Sequence, residues 1–158
     1  MKTRMDTDDF RRAVETYADM VFRIAFQNVQ NTADAEDAVQ DVFLRLLKAA
    51  PFRDEEHLKA WLIRVTVNRC RSHWRTAWVR HTVPLDEACA ALPAEDRSLW
   101  EELWSLPQKY RNVLYLHYYE GYTAPEIAAL LKLPLNTVYT HLRRGKQALK
   151  SVILEEEA

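Results

Sequence analysis

The chain has only two glycines among its 158 residues. A β-rich fold with many tight turns would need more, because glycine supplies the positive backbone angles of such turns. With 48% hydrophobic residues, the chain can bury one ordinary core or two small ones. No apolar run approaches the roughly 20 residues that span a bilayer, and the first ten residues lack the apolar core of a secretory signal. These features predict an all-α, cytoplasmic protein without membrane insertion.

The net charge of −1 conceals alternating bands of charge. Residues 58–82 contain six basic residues and no acidic one, and residues 109–150 contain seven basic and two acidic residues. Between them, residues 83–108 contain six acidic residues and one basic residue. Two basic bands on either side of an acidic connector favour two contacts with one long polyanion.

Apolar spacing predicts three helices in the first half of the chain. The first starts at Phe10, the second has a regular i, i+3, i+4 apolar series from Ala35 to Leu47, and the third begins near Leu58. We expect these helices to pack together as one small domain over residues 6–78.

A helix-turn-helix is predicted within a second helical domain, residues 96–154. The two domains are joined by residues 79–95, which lose the helical periodicity and contain two prolines. Thr123 and Glu126 form a T-x-x-E capping box before a short helix, and Pro134 opens the next helix. The outer face of that helix has no acid, which suits a recognition helix in the major groove of DNA. An ordinary amphipathic helix of a bundle is the alternative. The outward residues, predicted to contact DNA, are Asn136, Thr137, Tyr139, Thr140, His141, Arg143, Arg144 and Lys146.

Two blocks of sequence resemble a known family. DAEDAVQDVFLRLL (Asp34 to Leu47) followed by AWLIRVTVNRCRSHWR (Ala60 to Arg75) resembles the second region of bacterial sigma factors. LPQKYRNVLYLHYYEGYTAPEIAALLKLPLNTVYTHLRRGKQAL resembles their fourth region, and the small size resembles the extracytoplasmic-function group. The resemblance implies two small helical domains: a three- to four-helix region 2 bundle and a region 4 helix-turn-helix domain. It also implies a subunit that binds core RNA polymerase and directs transcription initiation at promoter DNA.

The same resemblance implies roles for particular residues. The second helix would dock on the clamp helices of the polymerase β′ subunit, and its expected contacts are Asp34, Asp37, Gln40, Asp41 and Leu44. The third helix would melt and bind the minus-ten promoter element. Its expected contacts are Asn68 with a base and Arg64, Arg71 and Arg75 with phosphates. The recognition helix would bind the minus-thirty-five element, while the same domain rests on the polymerase β flap.

Some positions depart from the family pattern or stay ambiguous. Lys132 stands where the family commonly has glycine, so it must adopt a positive φ at a cost of about 1 kcal/mol, or the turn has another shape. Asn136 also replaces a common glycine, and Leu135 replaces a frequent acid. Trp61 matches a packing position. Trp74 and Trp78 suit either core packing or base stacking.

The sequence indicates no catalytic site, cofactor or metal site. Cys70 and Cys89 fit reduced thiols, and Cys70 with His73 would need two further ligands to hold a metal. A DNA-cleaving enzyme would need a nucleophile with convergent bases or paired carboxylates for metal, and the aspartates of the second helix have no histidine nearby in the sequence.

A helix-turn-helix regulator that never becomes a polymerase subunit is the alternative function. Such a regulator would bind a palindromic duplex as a dimer. The resemblance also implies an anti-sigma factor as a partner, which wedges between the domains or covers their polymerase-binding faces. The linker 79–95 would permit such clamping.

Overall fold

The computed structural model describes residues 5–49, 51–77, 103 and 106–157, without the side chains of 72–77 and 151–157. All regular elements among these residues are helical, which confirms the all-α prediction. The chain divides into two compact units, Met1–Thr82 and Val83–Ala158. The predicted linker lies outside the described residues, so the proposed domain boundaries stay a prediction.

The first unit contains helices α1 (Thr7–Val29), α2 (Thr32–Leu47) and α3 (Glu55–Ala77), each packed against the other two. The Asn31 side chain caps α2 by accepting a hydrogen bond from the backbone N–H of Asp34 at 3.0 Å. The apolar stripes meet in one core that includes Ile24, Leu46 and Leu62, all at most 1% exposed. Burial of these stripes fixes which face of α2 and α3 remains in water.

Helix α3 begins at Glu55, one turn before the start that the apolar spacing predicted. The Asp54 carboxylate accepts a hydrogen bond from the backbone N–H of His57 at 2.8 Å and so caps the earlier start. Trp61 is half-buried, and its ring packs against Phe52 with the centroids 5.6 Å apart. It therefore packs at the margin of the core rather than in its centre.

The second unit contains α4 (Gln108–Leu114), a π-helical turn (Tyr115–Tyr119), α5 (Ala124–Leu131) and α6 (Leu135–Glu157). The wider π turn continues directly from α4. It buries Tyr115 and Leu116 and leaves Tyr118 54% exposed.

Gly121, two residues after the π turn, has φ 80°, a left-handed conformation that ends a helix. Among the described residues, no helix is both long and apolar enough to cross a membrane.

Candidate functional site

The short helix α5 starts with the predicted capping box. Glu126 Oε1 accepts a hydrogen bond from the Thr123 backbone N–H at 3.0 Å, and Thr123 Oγ1 accepts one from the Glu126 N–H at 3.4 Å. The backbone hydrogen bond from Thr123, followed by that from its hydroxyl, lowers the pKa of the Glu126 carboxyl. These bonds fix the point at which the chain enters the helix-turn-helix.

The turn between α5 and α6 is left-handed at Lys132. This residue has φ 53° and ψ 50°, and its backbone N–H donates to the carbonyl of Ala128. The next N–H, that of Leu133, donates to the same carbonyl at 3.0 Å. The first of the two predicted alternatives, a positive φ at a residue other than glycine, is therefore confirmed.

Helix α6 presents most of the predicted DNA-contact residues to water. Its buried side contains Val138 and Gly145, with Leu142 half-buried. The exposed members of the predicted set are Asn136, Tyr139, Arg143, Arg144 and Lys146, and the half-buried members are Thr137, Thr140 and His141. The Thr140 hydroxyl donates to the Asn136 carbonyl at 2.9 Å, so it satisfies its own helix.

His141 does not point straight outward as the sequence predicted. Its ring packs edge-on against Tyr110 of α4, with the centroids 5.6 Å apart, and its Nδ1 is buried without a hydrogen-bond partner among the described residues. Burial, followed by the charges of Lys109 and Arg144, lowers the pKa of His141. The Lys109 ammonium lies 5.2 Å from the centroid of the same Tyr110 ring. Sequence reasoning missed Lys109, because nothing in the spacing brings it to the edge of α6.

Glycine at position 145 brings α4 and α6 together. A Cβ placed on Gly145 would lie 3.0 Å from Leu114 Cδ1 and 3.3 Å from Tyr110 Cβ. Any side chain would push the helices apart, so this glycine sets how near the recognition helix lies to Tyr110 and Lys109.

In the first unit, α2 exposes much of the face predicted to bind polymerase. Asp37, Gln40 and Leu44 are exposed, and Leu44 is 61% accessible although it is a large apolar residue. Asp34 and Asp41 are half-buried. We call this face of α2, with Asp34, Asp37, Gln40, Asp41 and Leu44, the ridge. Its combination of acids and one exposed apolar side chain is typical of surfaces that bind proteins.

Asp41 is held by two arginines that the sequence did not connect to it. Its Oδ2 accepts a hydrogen bond from Arg69 Nε of α3 at 2.7 Å, and Arg45 Nη2 lies 3.2 Å from the same oxygen. Arg69 is 28 residues away in sequence, so no local pattern could have paired it with Asp41.

The predicted minus-ten residues on α3 differ in exposure. Asn68 and Arg71 are exposed, whereas Arg64 is half-buried and its Nε has no hydrogen-bond partner among the described residues. The side chains of Arg75, Trp74 and Trp78 lie outside the described residues, so those predictions stay open.

Neither a reactive thiol nor a metal site is found among the described residues. Cys70 is buried, and burial raises the pKa of its thiol to about 12. In the part of the chain that the structure describes, no three His, Cys, Asp or Glu side chains cluster in a way that could hold a metal ion.

Comparison with protein families decides between the classes left open by the sequence. Residues 13–80 match the model of sigma-70 region 2, and residues 96–149 match the model of sigma-70 region 4. The chain belongs to the sigma-70 family. Both blocks of resemblance, in the expected order, are thereby confirmed.

This sigma-70 family member is similar to proteins of the extracytoplasmic-function (ECF) group. It is 28% identical to the ECF RNA polymerase sigma factor SigW of Bacillus subtilis, over 92% of this chain and 89% of that protein. It is 29% identical to the ECF RNA polymerase sigma factor SigE of Mycolicibacterium smegmatis, over 92% of this chain and 62% of that longer protein.

Solved structures share the fold of this sigma-70 family member. One is the sigma factor RpoE in complex with the anti-sigma factor NepR from Bartonella quintana, with a TM-score of 0.72, 18% identity, and coverage of 93% of this chain and 98% of that one. Another is CnrH in complex with the cytosolic domain of CnrY, with a TM-score of 0.65, 22% identity, and coverage of 97% and 92%. At these identities the likeness concerns the fold alone.

Proposed function

We propose that this chain is an RNA polymerase sigma factor, which binds core polymerase and directs initiation at promoters with minus-ten and minus-thirty-five elements. It acts as an initiation factor rather than as an enzyme, in the cytoplasm where the polymerase works. The observation that carries the proposal is that one sigma-70 chain has two exposed surfaces of different chemistry, one suited to a protein and one suited to DNA. An exposed acidic and apolar ridge on α2 accompanies an exposed face without acids between Asn136 and Lys150 of α6.

The ridge of α2 is the proposed site for the clamp helices of the β′ subunit. Exposed Asp37 supplies long-range attraction to a basic surface, and Leu44 offers an apolar side chain whose burial would anchor the complex. The residues proposed to contact polymerase are Asp34, Asp37, Gln40 and Leu44. Asp41, which the sequence also assigned to this contact, is bonded to Arg69 of α3 instead.

Helix α3 is the proposed site for the minus-ten element. Opening DNA requires a group that holds an unstacked base and cations that stabilise the exposed strand. Asn68 is exposed and carries an amide that can donate to and accept from a base, and Arg71 is exposed three residues further along the same helix. Arg64 and Arg75 complete the proposed phosphate contacts.

Helix α6 is the proposed site for the minus-thirty-five element. Arg143, Arg144 and Lys146 are exposed cations, and Asn136 and Tyr139 are exposed near the start of the helix. Arginine can bind guanine through two hydrogen bonds, and asparagine can do the same with adenine. The second unit would also rest on the β flap, and Tyr118 is an exposed aromatic residue available for such a contact.

Reconstituted transcription tests the proposal directly. Core polymerase with this chain should initiate from a cognate promoter, and Asp37→Lys should reduce both core binding and transcript yield because it reverses an exposed charge of the ridge. Asp19→Lys is the matched control, since Asp19 is an exposed aspartate on α1. Equal activity of core polymerase with and without the chain would contradict the proposal. Tight binding of a dimer to a palindromic duplex without polymerase would favour the regulator instead.

We also propose that an anti-sigma protein regulates this chain. The support is the pair of similar structures, one a complex with an anti-sigma factor and the other a complex with a cytosolic domain. A protein that binds this chain and competes with core polymerase for it would have the expected property.

A further inference from the structure

Asp41 occupies a place shared by the two proposed surfaces of the first unit. It lies on α2, one turn after Asp37 and one turn before Leu44, both of which are exposed. Its carboxylate, however, is only 35% accessible and bonds to Arg69 of α3. The acid therefore connects the helix proposed to bind polymerase with the helix proposed to bind the minus-ten element.

The charge of Asp41 is already compensated within the protein. Arg69 Nε lies 2.7 Å and Arg45 Nη2 lies 3.2 Å from the same carboxylate oxygen. The Arg45 side chain is 52% accessible, and Lys48 is exposed one turn after Leu44. A basic group on an approaching polymerase would meet these two cations before it reached Asp41. The anionic charge available for docking is therefore concentrated at the Asp37 end of α2.

Arg69 is placed where it can control the direction of its neighbours on α3. It immediately follows exposed Asn68 and immediately precedes buried Cys70. Burial of the apolar stripe sets which face of α3 meets water, and the bond from Arg69 to Asp41 adds a fixed point on that face, one residue from Asn68. The pair is also 25% and 35% accessible, so water screens it less than a fully exposed ion pair.

We propose that Asp41 and Arg69 are positioning residues. Their ion pair fixes the position of the DNA-facing side of α3 relative to the polymerase-facing side of α2. Asp41 acts through Arg69 and not as a direct polymerase contact. Polymerase bound at Asp37 and Leu44 would hold α2 in place. Asp41, on the same helix, would then hold Arg69 and the neighbouring Asn68 of α3. This inference rests on the proposed function and refines the role that the sequence assigned to Asp41.

The test separates polymerase binding from promoter opening in the reconstituted holoenzyme. The variants are Asp41→Asn, Arg69→Met, the double variant and Asp37→Asn, with Asp37 as the matched aspartate that lies on the same helix and is exposed. Core affinity is measured by titration. Promoter opening is measured at saturating sigma factor, on a cognate promoter and on one with a substituted minus-ten base.

Asp41→Asn is expected to leave core affinity within about twofold of wild type, and to slow promoter opening about 5- to 30-fold, the factor for loss of one or two kcal/mol. It should also reduce the preference for the cognate minus-ten base, which simple loss of stability would not change. Arg69→Met should show the same defects, and the double variant should be no worse than the more severe single variant because both remove one interaction. Arg69→Lys should recover part of the opening rate, since it retains a cation at this position.

Two results would overturn the positioning role. One is an Asp41→Asn variant that loses core affinity as Asp37→Asn does while opening promoters normally once saturated. The other is a double variant whose defect is the product of the two single defects. Neither result touches the proposed function, which depends on the wild-type chain directing initiation at all.

Discussion

Replacing Gly145 by alanine should destabilise the second unit, although alanine is the better helix former. The added Cβ would lie 3.0 Å from Leu114 Cδ1, 3.2 Å from Leu114 Cγ and 3.3 Å from Tyr110 Cβ. Leu114 is 2% exposed and packs in a cluster with Leu103 and Leu106, so it has little room to withdraw. The backbone of α4 or α6 would have to move.

Two opposing effects determine the size of the change. Glycine in a helix interior costs about 0.5–1 kcal/mol relative to alanine, so the substitution gains that amount from the backbone. Forcing an extra methyl group into a packed contact costs about 1–3 kcal/mol. The steric cost is the larger over nearly all of these ranges, and the free energy of unfolding should fall by up to about 2.5 kcal/mol.

In a protein that already carries Leu114→Ala, the effect of Gly145→Ala on stability should change sign. Removing the leucine atoms costs about 2–5 kcal/mol on its own, but it also removes the two nearest obstacles to a Cβ at position 145. In that background Gly145→Ala should be neutral or stabilising by up to about 1 kcal/mol, because the gain in helix propensity remains. Urea unfolding of the four proteins of this cycle, followed by the circular dichroism of the helices, gives the coupling energy.

The control is Gln147→Ala, at an exposed position two residues further along α6. It should change stability by less than about 0.5 kcal/mol, as is usual at exposed sites. The reasoning is refuted if Gly145→Ala stabilises the wild-type protein, or if its effect is the same with leucine and with alanine at position 114.

Three further predictions concern single residues. Lys132→Gly should stabilise the helix-turn-helix by about 0.5–1 kcal/mol in urea unfolding, because glycine adopts the observed φ of 53° without strain. His141→Gln should make stability less sensitive to acid. The lowered pKa of His141 means that the unfolded chain binds its proton more tightly, so wild-type stability falls as the pH drops below about 6.5. A smaller loss in wild type than in the variant would contradict this sign. Cys70 should resist a thiol reagent at pH 8 in a Cys89→Ser background and react after unfolding, because burial raises its pKa to about 12.

Local sequence signals were sufficient for the features that depend on neighbouring residues. The capping box at Thr123 and Glu126 was predictable because its two hydrogen bonds join residues three positions apart. The positive φ at Lys132 was one of two alternatives, because the resemblance places a common glycine at this position while the local sequence left the shape of the turn open. The earlier start of α3 also had a local signal, since Asp54 is a strong capping residue that the apolar spacing passed over.

Packing between elements gave the features that the sequence did not reveal. The π turn at Tyr115–Tyr119 widens the helix without any proline or glycine to indicate it, and Tyr115 stacks on Tyr119 with its hydroxyl donating to Glu120 at 2.7 Å. His141 was expected on the outer face because helical spacing counts only its own helix. The close approach of α4 at Gly145 brings Tyr110 against it.

The pairing of Asp41 with Arg69 shows how such a contact changes an assignment of function. On α2 alone, Asp41 belongs to the same acidic series as Asp34 and Asp37, and spacing gives no reason to treat it differently. On α3 alone, Arg69 lies between the predicted contacts Asn68 and Arg71 and has no assigned task. The fold joins the two at 2.7 Å, which withdraws one anion from the docking ridge and one cation from the DNA-facing side. Some charged residues of α2 and α3 therefore pair with each other and hold the two helices together. Fewer charges remain for a partner than the acids of α2 and the bases of α3 suggest when each helix is considered alone.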